Sequence, residues 1–417
     1  MKKVCVIGLG YIGLPTASML ATHGFDVLGV DINSEIVKII NNGGIHIEEP
    51  GLHTLVQAAI KSGRLKAVTE PEPVDIFIIA VPTPFTKEKK ADLSYIKSAA
   101  KIIAPLISKD NLIILESTSP PGTCKDLLEP IFKSFNLISG KDYYLAHCPE
   151  RVLPGYTLKE LIQNDRIIGG IDKESAEKAA QFYKVFVEGN IYLTDSTTAE
   201  MVKLMENTYR DVNIALANEL AKICEKLGIS AWEVIRLANL HPRVNLHTPG
   251  PGVGGHCIAV DPWFIIEKYP ADTEIITLSR KINDGMPEYT IAHINRIVEG
   301  INNPKIVILG VTYKGNIDDT RESPAVKIIA RLEKIGIKYS IYDPHVRKFK
   351  YELSSLKEAF IGADCAVILA NHDEFRFLHP EELGKLMRNK VLFDTRFCVD
   401  HNLWKKNGFK VCCLGVG

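Results

Sequence analysis

No apolar run in this chain of 417 residues reaches the roughly 18 to 20 residues that a membrane span needs, which excludes a transmembrane reading. Charge of one sign is also lacking: 50 Lys and Arg stand against 50 Asp and Glu. With no net field, neither nucleic acid nor an acidic membrane surface is expected as a partner, and an anionic ligand has to be held by local cations. The nine cysteines include no C-x-x-C pair and no histidine at zinc-ligand spacing. Neither a disulfide framework nor a bound metal is expected, and a reducing, cytoplasmic setting fits best. Met1-Lys2-Lys3 before an apolar run has the outline of a signal peptide. The glycines at Gly8, Gly10 and Gly13 and the acid at Asp31 instead make the segment a buried strand and a tight turn.

What the chain does have is a series of short apolar runs closed by turn or polar residues: Val4 to Ile7, Val27 to Val30, Ile76 to Val81 and Leu112 to Leu115. Helical patterns such as Leu14 to Thr22 and Ile36 to Ile40 separate them, so a mostly parallel sheet with crossover helices is expected. A second series follows late, with Ile306 to Leu309, Ser340 to Tyr342, Ala366 to Leu369 and Val391 to Phe393; Asp343 closes its second strand as Asp31 does in the first. Between them, from Ser196 to Leu227, apolar residues recur at helical spacing with no Pro or Gly before Gly228, which predicts one long helix. The fold class is therefore α/β, with two Rossmann-like doubly wound domains joined by a central helical domain. The expected boundaries are 1–195, 196–300 and 301–417, since a single core stops growing at about 250 to 300 residues. The long helix offers a surface for homodimer packing.

Gly8-Leu9-Gly10-Tyr11-Ile12-Gly13 follows a predicted strand and opens a predicted helix. In such a turn the first glycine allows the bend, the second lets the backbone approach a pyrophosphate, and the third permits close packing of helix on strand. Asp31, about 20 residues on, can accept from ribose hydroxyls and would repel a 2′-phosphate, so NAD is preferred over NADP. Thr83 and Thr118 fall in loops at the carboxyl edge of later strands, where such sheets bind ligands.

The run Pro249-Gly250-Pro251-Gly252-Val253-Gly254-Gly255-His256-Cys257 is too rich in glycine and proline for helix or strand. A bare loop leaves Cys257 reachable, whereas Cys5 and Cys365, in apolar strand runs, read as buried and inert. On the long helix Lys203, Asn207 and Arg210 share one face. Spacing alone reads that face as solvated, with Glu200 and Asp211 as surface salt-bridge partners.

In these motifs the chain resembles the UDP-glucose/GDP-mannose dehydrogenase family from end to end. The matching segments are the glycine turn with Asp31, Glu116-Ser117-Thr118, Cys148-Pro149-Glu150-Arg151, and Ala199-Glu200-Met201-Val202-Lys203-Leu204-Met205-Glu206-Asn207. Gly254-Gly255-His256-Cys257 with Asp261, and Tyr313-Lys314 with Asp319-Thr320-Arg321-Glu322-Ser323-Pro324, complete the set. Within the family, Cys148 to Gly155, Arg210-Asp211-Val212-Asn213 and His241-Pro242-Arg243-Val244-Asn245 look like the branch that acts on UDP-N-acetyl-D-mannosamine. Pro154 and Val260 stand where the UDP-glucose branch carries a glutamate and a lysine.

The resemblance implies NAD-dependent oxidation of a UDP-sugar at C6 to the acid, with Cys257 as the covalent nucleophile. Lys203 and Asn207 would act on the C6 oxygen, and Asp261 and Glu150 on the hydrolytic water. It also implies cofactor contacts from Tyr11, Ile12 and Arg321, and sugar contacts from Arg151, Val152, Arg210, His241, Arg243 and Gly254. Tyr313, Lys314 and Arg396 would hold the UDP, and Arg243 would be supplied across a dimer interface. UDP-N-acetylglucosamine and UDP-glucose are the alternative substrates, and a non-catalytic nucleotide-sugar-binding regulator is the alternative class.

Overall fold

The computed structural model describes residues 2–417, which form two compact units: residues 2–206 with 263–269, and residues 207–262 with 270–417. The first is built on strands β1 (Lys3–Ile7), β2 (Asp26–Val30), β3 (Leu65–Val68), β4 (Ile76–Ile79), β5 (Asn111–Leu115), β6 (Tyr143–His147), β7 (Arg166–Gly170) and β8 (Ile191–Asp195). Their order is β3-β2-β1-β4-β5-β6-β7-β8. All pairs are parallel except β6 with β7. The order reverses between β1 and β4, the crevice at which doubly wound sheets bind ligands.

The sheet is apolar on both faces because alternate side chains of a strand point to opposite sides. Val4 and Val6, Ile76 and Ile78, and Leu112 and Ile114 enter one core. Cys5 and Ile7, Phe77 and Ile79, and Ile113 and Leu115 enter the other. Each fully buried aliphatic side chain contributes about 1.5 to 3 kcal/mol, so a shift of one residue in register would reverse every one of these strands at once.

The second unit carries β9 (Lys305–Leu309), β10 (Lys338–Tyr342), β11 (Cys365–Ile368), β12 (Val391–Asp394) and β13 (Lys410–Cys413). Their order is β10-β9-β11-β12-β13 and every pair is parallel. Ile306 and Ile308 face one core, Val307 and Leu309 the other. The two sheets repeat one device. The Asp31 carboxylate after β2 accepts from the Leu9 N–H at 3.1 Å, and the Asp343 carboxylate after β10 accepts from the Val311 N–H at 2.7 Å. In both, an acid ending the second strand fastens the turn that ends the first.

The predicted long helix is Ser196–Leu227; it begins in the first unit and ends in the second. In the second unit it packs beside the helix Glu274–Ile297 through a buried polar seam. Arg280 meets Asp211 at 2.6 Å, the Asn283 amide donates to the same carboxylate at 2.8 Å, and Asn218 donates to Asn283 at 2.9 Å. Asn218 also accepts from the Gly250 N–H at 2.9 Å, which anchors the start of the glycine-rich loop.

Candidate active site

In the first unit the glycine turn separates by what each position would tolerate. Gly8 lies at φ +92°, and a Cβ there would meet the Ala80 carbonyl oxygen at 2.6 Å; a Cβ on Gly13 would collide with the Gly8 carbonyl. Protein packing demands both glycines. A Cβ on Gly10, in contrast, would meet nothing within 4 Å, so its bareness leaves room for something other than protein. The helix Gly13–Thr22 starts beside this space with no acid in its first turn, which suits an anion at its N-terminus. This cradle fits an NAD pyrophosphate. Asp31 stands at its edge; besides Leu9 it accepts from the Asn33 N–H at 2.9 Å. Tyr11 is exposed beside Ile12. The Thr83 hydroxyl donates to the Thr118 carbonyl at 2.6 Å and Ser117 Oγ to the Val81 carbonyl at 2.7 Å, locking together the loops after β4 and β5.

Below the loop after β6 lies a charged cluster that sequence reading did not find. Glu150 is buried, pairs with Arg166 at 2.8 Å and accepts from the Arg151 N–H at 2.8 Å. The Arg166 guanidinium lies 4.9 Å from the Tyr183 ring centre, and the Tyr183 hydroxyl donates to Glu116 at 2.6 Å. Burial, and next the charge of Glu150, push Glu116 up to about 7, with Arg166 opposing. The available signal was a lone arginine heading the apolar run Arg166 to Gly170, since a buried guanidinium requires acids nearby. Arg151 itself reaches Glu206 at 2.5 Å and the Asp165 carbonyl at 2.9 Å, with Val152 following half-buried.

The expectation that Glu200 and Asp211 are surface partners is overturned: both are 0% exposed. Asp211 belongs to the Arg280 seam, and Glu200 accepts the N–H groups of Gly122 at 2.5 Å and Cys124 at 2.8 Å. Helical spacing identified the face but could not tell which side of the helix is covered. Lys203 stands half-buried one turn after Glu200.

In the second unit no helix or strand occurs between Ala238 and Asp261, as the glycine and proline content requires. The loop glycines are needed because the chain lies directly on its neighbours. A Cβ on Gly254 would meet the Glu322 carbonyl at 2.5 Å and Tyr313 Cβ at 2.8 Å, and one on Gly255 would meet the Tyr313 ring at 2.8 Å. Gly250 is pressed in the same way against Arg396. The Gly255 N–H donates to the Arg321 carbonyl at 3.1 Å, and the Arg321 guanidinium grips Asp319 at 2.6 to 3.0 Å. Arg396 donates to Asn371 at 3.3 Å, and Lys314 is exposed beside Tyr313.

Cys257 is exposed, and its carbonyl accepts from the Asp261 N–H at 2.9 Å in the turn that opens the helix Asp261–Lys268. Burial and then Arg321 lower the neighbouring His256, which favours its neutral form. The buried Asn207 amide donates to the Asp261 carboxylate and accepts from Arg210. Cys257, Asp261, Asn207 and Arg210 thus form one linked group, whereas His241 and Arg243 are exposed on a separate stretch. Cys5 and Cys365 are buried, as expected, and burial raises both thiols, Cys5 to about 12.

Residues 2–187 match the NAD binding domain of the UDP-glucose/GDP-mannose dehydrogenase family, residues 197–285 its central domain and residues 307–401 its UDP binding domain. A UDP-N-acetyl-D-mannosamine dehydrogenase of Methanococcus maripaludis is 54% identical over 100% of this chain and 98% of its own length. Among solved structures, a UDP-D-ManNAc dehydrogenase from Pyrococcus horikoshii is 42% identical, covers 100% of this chain and 99% of its own, and superposes with a TM-score of 0.94. The UDP-N-acetyl-mannosamine dehydrogenase of Staphylococcus aureus is 46% identical over 99% of both chains, with a TM-score of 0.91. A glycine cradle at the sheet's reversal point, a reachable thiol beside a buried Asp–Asn pair, and end-to-end similarity all agree: the chain belongs to the UDP-glucose/GDP-mannose dehydrogenase family.

Proposed function

We propose that the protein oxidises the C6 hydroxymethyl group of UDP-N-acetyl-D-mannosamine to the carboxylate in two NAD-dependent steps. The observation that carries this reading is the position of Cys257, an exposed thiol whose backbone turn leads directly into Asp261 and, through it, to Asn207. The choice of sugar draws on the relatives of similar length named above.

NAD, bound at the Gly8–Gly13 turn with Asp31, Tyr11, Ile12, Thr83 and Thr118 around it, supplies the hydride acceptor for each oxidation, and Arg321 is assigned a cofactor contact by the family resemblance. In the first oxidation Lys203 takes the proton of the C6 hydroxyl or steadies its developing negative charge. Asn207, with one amide hydrogen given to Asp261, offers its other to the same oxygen. The aldehyde so formed has no hydroxyl proton to lose. Attack by the Cys257 thiolate makes a C–S bond and turns the carbonyl into an oxyanion that can release hydride, leaving a thioester. Water, positioned by Asp261 and by the Glu150 loop, then breaks the C–S bond and returns the thiol. Tyr313, Lys314 and Arg396 hold the UDP, and Arg151, Val152, Arg210, His241 and Gly254 the sugar.

This reading divides the chain into a cofactor domain (1–195), a central domain (196–300) and a UDP-sugar domain (301–417), and places the enzyme in the cytosol. It includes a homodimer, in which Arg243 serves the partner's sugar. Tyr209, Leu216, Ile223 and Leu227 are exposed along the long helix at spacings of seven, seven and four, the repeat at which two helices pack side by side. No helix among the described residues is long and apolar enough to cross a membrane.

The test is NADH formed per sugar consumed with UDP-N-acetylmannosamine, UDP-N-acetylglucosamine and UDP-glucose, for the parent and for Cys257→Ala. The expected result is two NADH per UDP-N-acetylmannosamine in the parent, and no acid from the variant with NAD affinity held within about threefold. Acid formation by the variant at the parent rate would falsify the covalent step. Absence of NADH with every sugar would favour a binding regulator.

A further inference from the structure

Glu200 is a fully buried carboxylate with no part in the chemistry so far described, and its partners are unusual. After β5 the chain runs through Pro120-Pro121-Gly122 into a π-helix, Thr123–Leu128. A π-helix is a rare and costly winding that tends to mark functional places. Gly122, at φ +91°, is its N-cap and makes no side-chain cap. The N–H groups at the start of that helix are instead taken by Glu200, which accepts from Gly122 at 2.5 Å and from Cys124 at 2.8 Å. The Cys124 thiol and the His147 ring also stand close, with ligand atoms of the three residues within 4.8 Å of one another. Burial pushes His147 down to about 3, so its ring is neutral. Burial also pushes Glu200 up to about 7, and the backbone N–H groups of Cys124 and Gly122 oppose that rise by favouring the ionised carboxylate.

The same loop is fastened on its other side, by Ser117 to the Val81 carbonyl and through the Thr118 carbonyl to Thr83. Only three residues separate Thr118 from Gly122, and Lys203 follows Glu200 by one turn of the long helix. One short connected path therefore runs from the cofactor-side loops, through Glu200, to the lysine-bearing turn.

We propose that Glu200 is a positioning residue: by holding the first N–H groups of the π-helix it sets where Lys203 stands relative to the loop that carries Thr118. This rests on the assignment of Lys203 and Thr118 made above. A carboxylate suits the task because it accepts two N–H donors at once, whereas an amide would turn one of its own N–H groups against a donor. Small errors in such alignment are expensive: a displacement of about 1 Å can cost about a hundredfold in rate.

The experiment compares Glu200→Gln, Glu200→Asp and Lys203→Ala with the parent, using UDP-N-acetylmannosamine with and without deuterium at C6. For Glu200→Gln the expected result is a kcat lower by about ten- to a hundredfold, with KM for the sugar within about threefold of the parent. The deuterium effect on kcat should grow as hydride loss becomes limiting. Glu200→Asp keeps the charge but shortens the reach, and should fall between the two; if the glutamine variant does not fold, it decides alone. Parent-like kcat in the folded variants overturns the proposal. So does a loss of folded fraction in which the surviving enzyme keeps the parent's kcat and isotope effect, which is what a merely structural role would give. Parent activity in Lys203→Ala would show instead that the underlying lysine assignment is at fault.

Discussion

The side-chain amide of Asn207 stands between an acid and a base, donating to Asp261 while its oxygen accepts from Arg210. Asn207 and Asp261 are both buried, so neither can exchange its partner for water. Asp261→Ala should leave a buried donor unmet, at a cost of about 1 to 3 kcal/mol, and lower the melting midpoint together with kcat. Asp261→Asn retains an acceptor oxygen without the charge, so it should melt near the parent yet lose about tenfold or more in kcat. Thermal melts beside steady-state rates separate the two effects, and equal melting of both variants would argue against the hydrogen bond as the cause.

The glycine turn gives a second separation. Gly10→Ala places its methyl group where no protein atom lies. It should fold with a normal melting midpoint while NAD binding weakens about tenfold or more. Gly13→Ala forces a methyl onto the Gly8 carbonyl and should destabilise the unit whether or not NAD is added. Calorimetric titration with NAD and melting of the apo-proteins are the measurements; unimpaired NAD binding by Gly10→Ala would remove the cofactor from this turn.

Glu116 should leave a mark on stability as pH is changed. Its folded value is raised to about 7, against about 4.3 for an ordinary glutamate, so the folded protein prefers the protonated acid. The associated stability is fully present below about pH 4.3, declines as pH rises through about 7, and is absent above that, a change of up to about 4 kcal/mol. Glu116→Gln cannot ionise. Relative to the parent, its melting midpoint should therefore be higher at pH 8 than at pH 5. An unchanged difference at the two pH values would show that Glu116 does not titrate in this range.

Arg280 and Asp211 are both buried at 2.6 Å, and removing one leaves the other's charge without its counterion. Asp211→Ala is expected to cost about 3 to 5 kcal/mol, read as a large fall in the melting midpoint. Replacing both with apolar residues of similar volume should recover much of that loss, since burying two charges is itself costly. Failure of the double variant to recover would place the importance in Asn283, which donates to the same carboxylate.

The sequence disclosed those parts of the molecule whose physical requirements are local. The helix Ser196–Leu227 was legible end to end because no glycine or proline interrupts its apolar spacing before Gly228. Strands β1, β4 and β5 announced themselves as unbroken apolar runs because both faces of a parallel sheet are covered. β7 and β8 did not: Arg166 and two glycines dilute the first, and the second shows mostly partly or fully exposed residues. Cys257 could be singled out by the poverty of its loop, since glycine and proline forbid regular structure. Glu116, Arg166 and Tyr183 come from three places in the chain and have meaning only together. Nothing in the spacing of any one of them discloses that it is buried, and it was burial that separated Glu200 and Asp211 from ordinary surface acids.

Six of the nine cysteines are buried, Cys398 and Cys412 are half-covered, and Cys257 is exposed. The chain thereby carries its own reporter: a gentle alkylating reagent should modify Cys257 first, and the rate of labelling becomes a gauge of whether that position is open. The same disposition is a vulnerability, because the sulfur most accessible to peroxide is the one on which turnover depends.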